Sequence, residues 1–199
     1  MTIGIIGAGG IGMAFATQAA RAGYDVILSN SRGPESLAET TRKLGQRVRA
    51  GTRQEAAQAD IVVIAVQWQQ LRSALADLPA WNGRIVIDAM NPILMPEFRA
   101  ADLEGKTSSE IVASLLPGAR VVKTANTLTP ELLASDPSQA GGRRVLFVSG
   151  DDADAKTEVV GVLEKAGFAT VDLGGLVEGG RLQQFPGGSL PGLNLIRLG

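Results

Sequence analysis

Thr2-Ile3-Gly4-Ile5-Ile6-Gly7-Ala8-Gly9-Gly10-Ile11-Gly12 stands at the head of the chain, and its reading decides the fold. Ile3, Ile5 and Ile6 make a short β-branched apolar run, the pattern of a strand buried on both faces. Gly7, Gly9 and Gly12 follow at the spacing G-x-G-x-x-G. Beyond them Ile11, Ala14, Phe15, Ala19 and Ala22 recur with helical period, and Gly23 is placed to end that helix. Strand, glycine loop and helix in that order make a dinucleotide-binding turn. The first glycine allows the tight turn, the second lets backbone approach a pyrophosphate, and the third lets helix pack on strand. Unpaired N–H groups at the helix N-terminus then face the phosphates. A glycine-rich turn without a ligand would share the three glycines, but it would not need the flanking strand and helix.

Outward from this turn, residues 24–28 read as a second strand that leaves through Ser29, Asn30, Ser31 and Arg32. Sites that prefer NAD place an acidic residue at the tip of this strand, on the ribose 2′-hydroxyl. Asp25 lies too early for that, and the tip carries Ser31 and Arg32 instead. A guanidinium there can clasp a 2′-phosphate in bidentate fashion, with hydroxyls adding hydrogen bonds. Pro34 then starts a helix whose N-terminus faces the same anion. NADP is favoured over NAD, the alternative being an exposed loop arginine that holds nothing.

A helix over 34–44, a short strand near Val48 and a capping box at Thr52-Arg53-Gln54-Glu55 come next, the last starting a helix that ends near Ala59. Residues 61–66 form the clearest strand, and it runs through Val66 into Gln67 and Trp68, where ligands sit on an open parallel sheet. Trp68 either walls the cofactor pocket or packs a helix onto the sheet. Residues 84–88 are the next strand and lead to Asn91-Pro92, Asn91 being a pocket-lining group or a turn former. A second capping box, Thr107-Ser108-Ser109-Glu110, starts a helix to about Leu116. Residues 120–125 then deliver Asn126 and Thr127 to where topology expects a nicotinamide.

The tail repeats the alternation: a strand at 144–148, a helix capped by Asp151 or Asp152 and closed by Gly167, and a strand at 169–173. Gly174-Gly175, Gly179-Gly180 and Gly187-Gly188 follow, read either as flexibility or as backbone kept clear for a flat ligand. Leu190, Leu193, Leu195, Ile196 and Leu198 form a terminal apolar segment for core or subunit contact. The expected fold is α/β: a Rossmann-like, doubly wound, mostly parallel sheet with a small C-terminal α/β extension. Residues 1–140 make the NADP-binding domain and 141–199 a small part over the second-substrate site.

Composition narrows the chemistry. The 199 residues suit one large domain, or a domain with a small appendage. With no cysteine and no histidine, the chain lacks thiol chemistry, the commonest metal ligand and the commonest general base, so no metal site is expected. A net charge of −1, with the two signs interspersed, argues against nucleic acid as a partner. The first strand begins at about Thr2, which leaves no room for a signal or transit peptide. No apolar run approaches the roughly 18 residues of a membrane span, so a cytoplasmic protein is expected.

With these stretches in view, the chain resembles the NADP oxidoreductases that work with the deazaflavin coenzyme F420, over almost its whole length. The resemblance rests on Gly7 to Gly12, Asn30-Ser31-Arg32, Val66-Gln67-Trp68, Asp88 with Asn91-Pro92, and Ser109-Glu110-Ile111-Val112. It continues through Val122-Lys123, Asn126-Thr127, Gly150-Asp151-Asp152, Asp172-Leu173-Gly174 and Arg181-Leu182. The cytosolic reductase domains of six-transmembrane ferric reductases are similar over the same stretches. The resemblance implies phosphate contacts at Gly9, Ile11, Gly12, Ser31 and Arg32, and a C-terminal part roofing a second flat cofactor, F420 or a flavin. The expected cofactor-binding set is Gly7, Gly9, Gly10, Ile11, Gly12, Asn30, Ser31, Arg32, Val66, Gln67, Trp68, Asn91 and Asn126. Members usually carry proline where this chain has Gln67, and the 179–188 segment departs from the deazaflavin-dependent pattern, which leaves the second substrate open.

The missing residue types agree with this chemistry. Hydride passing between two bound rings needs the rings in contact and no side-chain acid or base, so no catalytic residue is expected. Carbonyl reduction would need a proton donor. The one tyrosine, Tyr24, sits at a strand start, and Lys123 lies on a strand where a structural role is expected. The leading expectation is an NADPH-dependent oxidoreductase exchanging hydride with a deazaflavin or a similar flat acceptor, with a homodimer as one assembly its terminal apolar segment could serve. The alternative is a catalytically silent NADPH-binding sensor or partner module.

Overall fold

The computed structural model describes residues 1–199. Strands β1 (Thr2–Ile6), β2 (Asp25–Ser29), β3 (Val48–Ala50), β4 (Ile61–Ile64), β5 (Ile85–Asp88) and β8 (Arg120–Lys123) form a parallel sheet in the order β3-β2-β1-β4-β5-β8. Between them run helices α1 (Gly10–Arg21), α2 (Ala38–Leu44), α3 (Arg53–Ala56), α4 (Leu71–Leu75) and α5 (Ser108–Ser114), with a two-stranded hairpin, β6 (Ile93–Leu94) and β7 (Arg99–Ala100), after β5. The chain then continues as α6 (Pro130–Ala134), β9 (Ser138–Gln139), β10 (Gly142–Gly150), α7 (Ala153–Lys165), β11 (Ala169–Asp172), α8 (Glu178–Gln183) and β12 (Ile196–Leu198). β10 joins the same sheet antiparallel to β8, and β11 pairs with it in parallel.

The apolar pattern of the strands explains the layers. Ile3 and Ile5 of β1 pack with Ala14, Phe15 and Ala19 of α1 on one face, while Ile6 joins Val62, Ile64 and Val86 on the other. Gly4 faces that second layer because a Cβ there would meet Ala56 Cα at 2.9 Å, so α3 lies directly on β1. Chain winding reverses between β1 and β4, which puts the switch point of the sheet at their C-terminal ends. Register makes those ends level: Ile6 pairs with Ser29 and Ile64, Ile64 with Asp88, and Asp88 with Lys123. Every loop leaving these strands therefore opens onto one edge.

Several boundaries differ from the sequence reading for local reasons. The helix expected from Pro34 begins as a 3₁₀ turn, Pro34–Leu37, before α2. The strands expected to reach Val66 and Ala125 stop at Ile64 and Lys123, because the backbone turns out of the sheet toward the groove described below, Ala125 with φ +62. The capping boxes at Thr52 and Thr107 form as read. Of the three glycine pairs, Gly179-Gly180 is neither a flexible run nor a cleared backbone platform, for both residues lie inside α8. A Cβ on Gly179 would meet Leu173 Cβ at 2.8 Å, so this glycine lets α8 press on the end of β11. No helix is long and apolar enough to cross a membrane.

Candidate functional site

The glycine loop is built for close approach at specific positions. Gly7 has φ +114, which few side chains tolerate, and a Cβ there would overlap the Ala65 carbonyl. A Cβ on Gly12 would overlap the Gly7 carbonyl and touch Ile5 Cγ2 at 3.4 Å, so Gly12 holds α1 against β1 from behind the loop. A Cβ on Gly10 would lie 2.7 Å from Pro130 Cγ, at the start of α6. Gly9 is different, for nothing stands within 4 Å of where its Cβ would be. The fold needs glycine at 7, 10 and 12, whereas position 9 is open.

Gly9 caps α1 with no side-chain hydrogen bond, and no acidic residue lies in the first turn. The Met13 N–H donates to the Gly9 carbonyl at 2.9 Å, and the three N–H groups before it point out of the helix end unpaired. They carry the positive end of a 12-residue helix dipole to the edge of the sheet. At the tip of β2, Asn30 Oδ1 accepts from the Arg32 N–H at 3.0 Å, and Asn30 Nδ2 donates to Ser36 Oγ at 2.9 Å. This short-range turn, with Gly33 at φ +91, presents Ser31 and Arg32 to solvent beside the loop.

One continuous groove runs from this tip across the level strand ends. Its first half, a cavity of ≈ 560 Å³, is lined by Gly7, Gly9, Asn30, Ser31, Arg32, Val66 and Gln67, with Arg53 and Gln70 beyond. Its second half, ≈ 680 Å³, shares Gly9, Val66 and Gln67 and adds Gly10, Ile11, Trp68, Asn91 and Asn126. The structure thus gathers twelve of the thirteen expected residues on one surface and sets Gly12 behind it. Trp68 packs against the core layer that holds Leu71 and Leu116 and also lines the groove.

Asn91 and Asn126 do more than line the wall. Asn91 Nδ2 donates to the Asn126 carbonyl at 2.8 Å, and Asn126 Nδ2 returns a bond to Asn91 Oδ1 at 2.9 Å. Asn126 Nδ2 also donates to the Gln183 carbonyl at 2.7 Å, and the Phe185 N–H donates to Asn91 Oδ1 at 3.0 Å. The two amides therefore latch the end of α8 over the ends of β5 and β8, which forms a roof. Asn126 Oδ1 is buried with no partner in the chain.

Below the latch lies a fully buried ion pair. Lys123 Nζ donates to Asp88 Oδ2 at 3.1 Å and to the Met90 carbonyl at 2.9 Å, while Ser109 Oγ donates to the same carboxylate at 2.9 Å. This pins the β5 exit loop and keeps the ammonium from solvent, consistent with the structural role expected of Lys123. Tyr24 is buried far along the chain's other edge, under Lys165 Nζ at 4.3 Å from its ring. Glu55 and Glu110 have carboxyls held below their ordinary range by the Thr52 and Thr107 backbone N–H groups, and both belong to helix caps outside the groove. No group of three or more acidic, histidine or cysteine side chains gathers to hold a metal ion.

Sequence reasoning missed the apolar wall of the second half: Ile93, Met95 and Phe98 from the β6–β7 hairpin, and Phe185, Pro191 and Gly192 from the tail. The available signal was large apolar residues in Pro-rich loops just after strand ends, where a core has no use for them.

Residues 2–92 match the family model described as NADP oxidoreductase coenzyme F420-dependent. A hypothetical protein of Sinorhizobium meliloti has 45% sequence identity and superposes with a TM-score of 0.93, over 99% of this chain and 96% of that one. A candidate F420-dependent NADP-reductase of Arthrobacter sp. FB24 is 29% identical, with a TM-score of 0.75 over 88% of this chain and 86% of the other. Metalloreductase STEAP3 of Rattus norvegicus is 27% identical over 190 residues, which cover 95% of this chain and 37% of the relative. The chain thus spans little more than a third of the length of that curated relative.

Proposed function

We propose that the chain, whose residues 2–92 match the model of the NADP oxidoreductase, coenzyme F420-dependent family, is a member of that family and transfers a hydride between NADP(H) and a flat redox ring, a deazaflavin or a flavin. The observation that carries the reading is the two-part groove on the level strand ends. One half offers helix N–H groups and Arg32, and the other offers apolar walls under a roof. In this reading the pyrophosphate lies over Gly9 and the N-terminus of α1, and Ser31 and Arg32 hold the 2′-phosphate. The nicotinamide enters the second half, between Trp68 and the Asn91–Asn126 latch. Gly9 then has a reason to be glycine that the fold alone does not supply.

No side chain in the second half is an acid or base, which suits direct transfer between stacked rings, since that step needs contact and orientation only. The protein works in the cytoplasm in this reading, and the exposed Leu193, Leu195 and Leu198 serve a homodimer. Steady oxidation of NADPH in the presence of a deazaflavin or flavin tests the proposal, with turnover expected only when both are supplied. An intact protein that binds NADPH and turns over with neither acceptor would instead be an NADPH-binding sensor or partner module.

A further inference from the structure

The two halves of the groove differ in charge. The first half carries two guanidiniums, Arg32 and Arg53. In the second, none of the 21 lining residues is ionisable, and its polar side chains are amides, hydroxyls and the Trp68 indole. Phe98 and Phe185, 61% and 36% exposed, stand at its rim with ring centroids 6.2 Å apart. Two of the amides, Asn91 and Asn126, are committed to the latch. Gln67 is not: it begins a 3₁₀ turn without using its side chain as a cap, and it stands exposed at the neck between the halves.

We infer that the second half is a specificity site for an uncharged, planar quinonoid ring, and that an anionic substituent on the acceptor weakens binding there. This rests on the reading of the first half as the NADP(H) site. A neutral ring entering this space covers apolar wall and stacks against aromatic rims. A sulfonate, phosphate or carboxylate would lose water and find no cation among the lining residues. The Gln67 amide is free to donate to a ring carbonyl. Reduction of a quinone breaks the C4–H bond of the dihydronicotinamide and passes its hydrogen and electron pair to the ring. One proton from solvent completes the hydroquinone and leaves NADP+.

A binding titration tests this without turnover. Quenching of tryptophan fluorescence is followed in the protein saturated with tetrahydro-NADPH, a redox-inert form whose nicotinamide ring is uncharged, with a methyl-naphthoquinone and separately with the same ring bearing a sulfonate. The Trp68→Phe variant identifies the signal that comes from the groove. The neutral ring is expected to bind about tenfold or more tightly than the sulfonate, as befits one uncompensated charge. Phe98→Arg, which sets a guanidinium at the exposed rim in place of one aromatic face, is expected to weaken the neutral ring and to shift the ratio of the two affinities about tenfold or more toward the sulfonate. Equal or tighter binding of the sulfonate by the unmodified protein would overturn the inference, as would failure of the neutral ring to bind. NADPH is titrated alone in parallel. Loss there would count against the cofactor reading, whereas intact NADPH binding with the wrong ring preference would count against this inference only.

Discussion

Arg32 and Gly9 are the residues on which the cofactor proposal can be tried one atom group at a time. Arg32 is exposed at the rim of the groove, held there by a turn that Asn30 closes through backbone and Ser36. Losing a charge-assisted pair to a phosphate costs roughly 1.5–3 kcal/mol, and about 1.4 kcal/mol is tenfold. Arg32→Ala is therefore expected to weaken NADPH by about 10- to 100-fold and leave NADH nearly unchanged, as calorimetric titration would read. Equal losses for both cofactors would remove the 2′-phosphate assignment. These residues were legible because charge and glycine spacing are local facts. The Asn91–Asn126 latch was not, since its partners lie 35 and 57 residues away in the chain.

At the scale of elements, the β1–loop–α1 unit separates two jobs that its glycines share in sequence. Gly12 serves the packing of helix on strand and Gly7 the tight turn against Ala65, while Gly9 faces open space. Gly12→Val should force α1 away from β1, lowering the melting temperature and weakening NADPH and NADH together. Gly9→Ala should leave the melting temperature within a few degrees of the parent, because its Cβ meets nothing. It should still cost NADPH affinity if backbone approaches the pyrophosphate there. A Gly9→Ala protein that binds NADPH normally would mean that the loop is a turn and nothing more. The main strands, α1 and both capping boxes could be read from the chain because period, caps and glycine stops agreed. The elements that escaped reading, among them α4, α6, the β6–β7 hairpin, β9 and β12, are two to five residues long. Elements so short take their shape from what they pack on. In α8 the same logic reversed the reading, for Gly179 answers to close packing on Ser149 of β10 and on Leu173 just past β11.

For the molecule as a whole, one sheet carries both the cradle and its roof. Ile6, Ser29, Ile64, Asp88 and Lys123 lie level across five strands, and β10 and β11 extend the sheet so that α8 can fold back over its edge. The doubly wound, mostly parallel class followed from the alternating pattern, whereas the order of strands, the antiparallel entry of β10 and the placement of the roof depended on contacts across the chain. The central claim is that hydrogen passes directly from one bound ring to another in this groove. NADPH carrying deuterium at C4, prepared with each prochiral label in turn, tests it with a deazaflavin as acceptor. The account predicts that one of the two labels appears on C5 of the deazaflavin without exchange into solvent, and that turnover slows if transfer limits the rate. Deuterium found in water, or an equal yield from both labels, would contradict it.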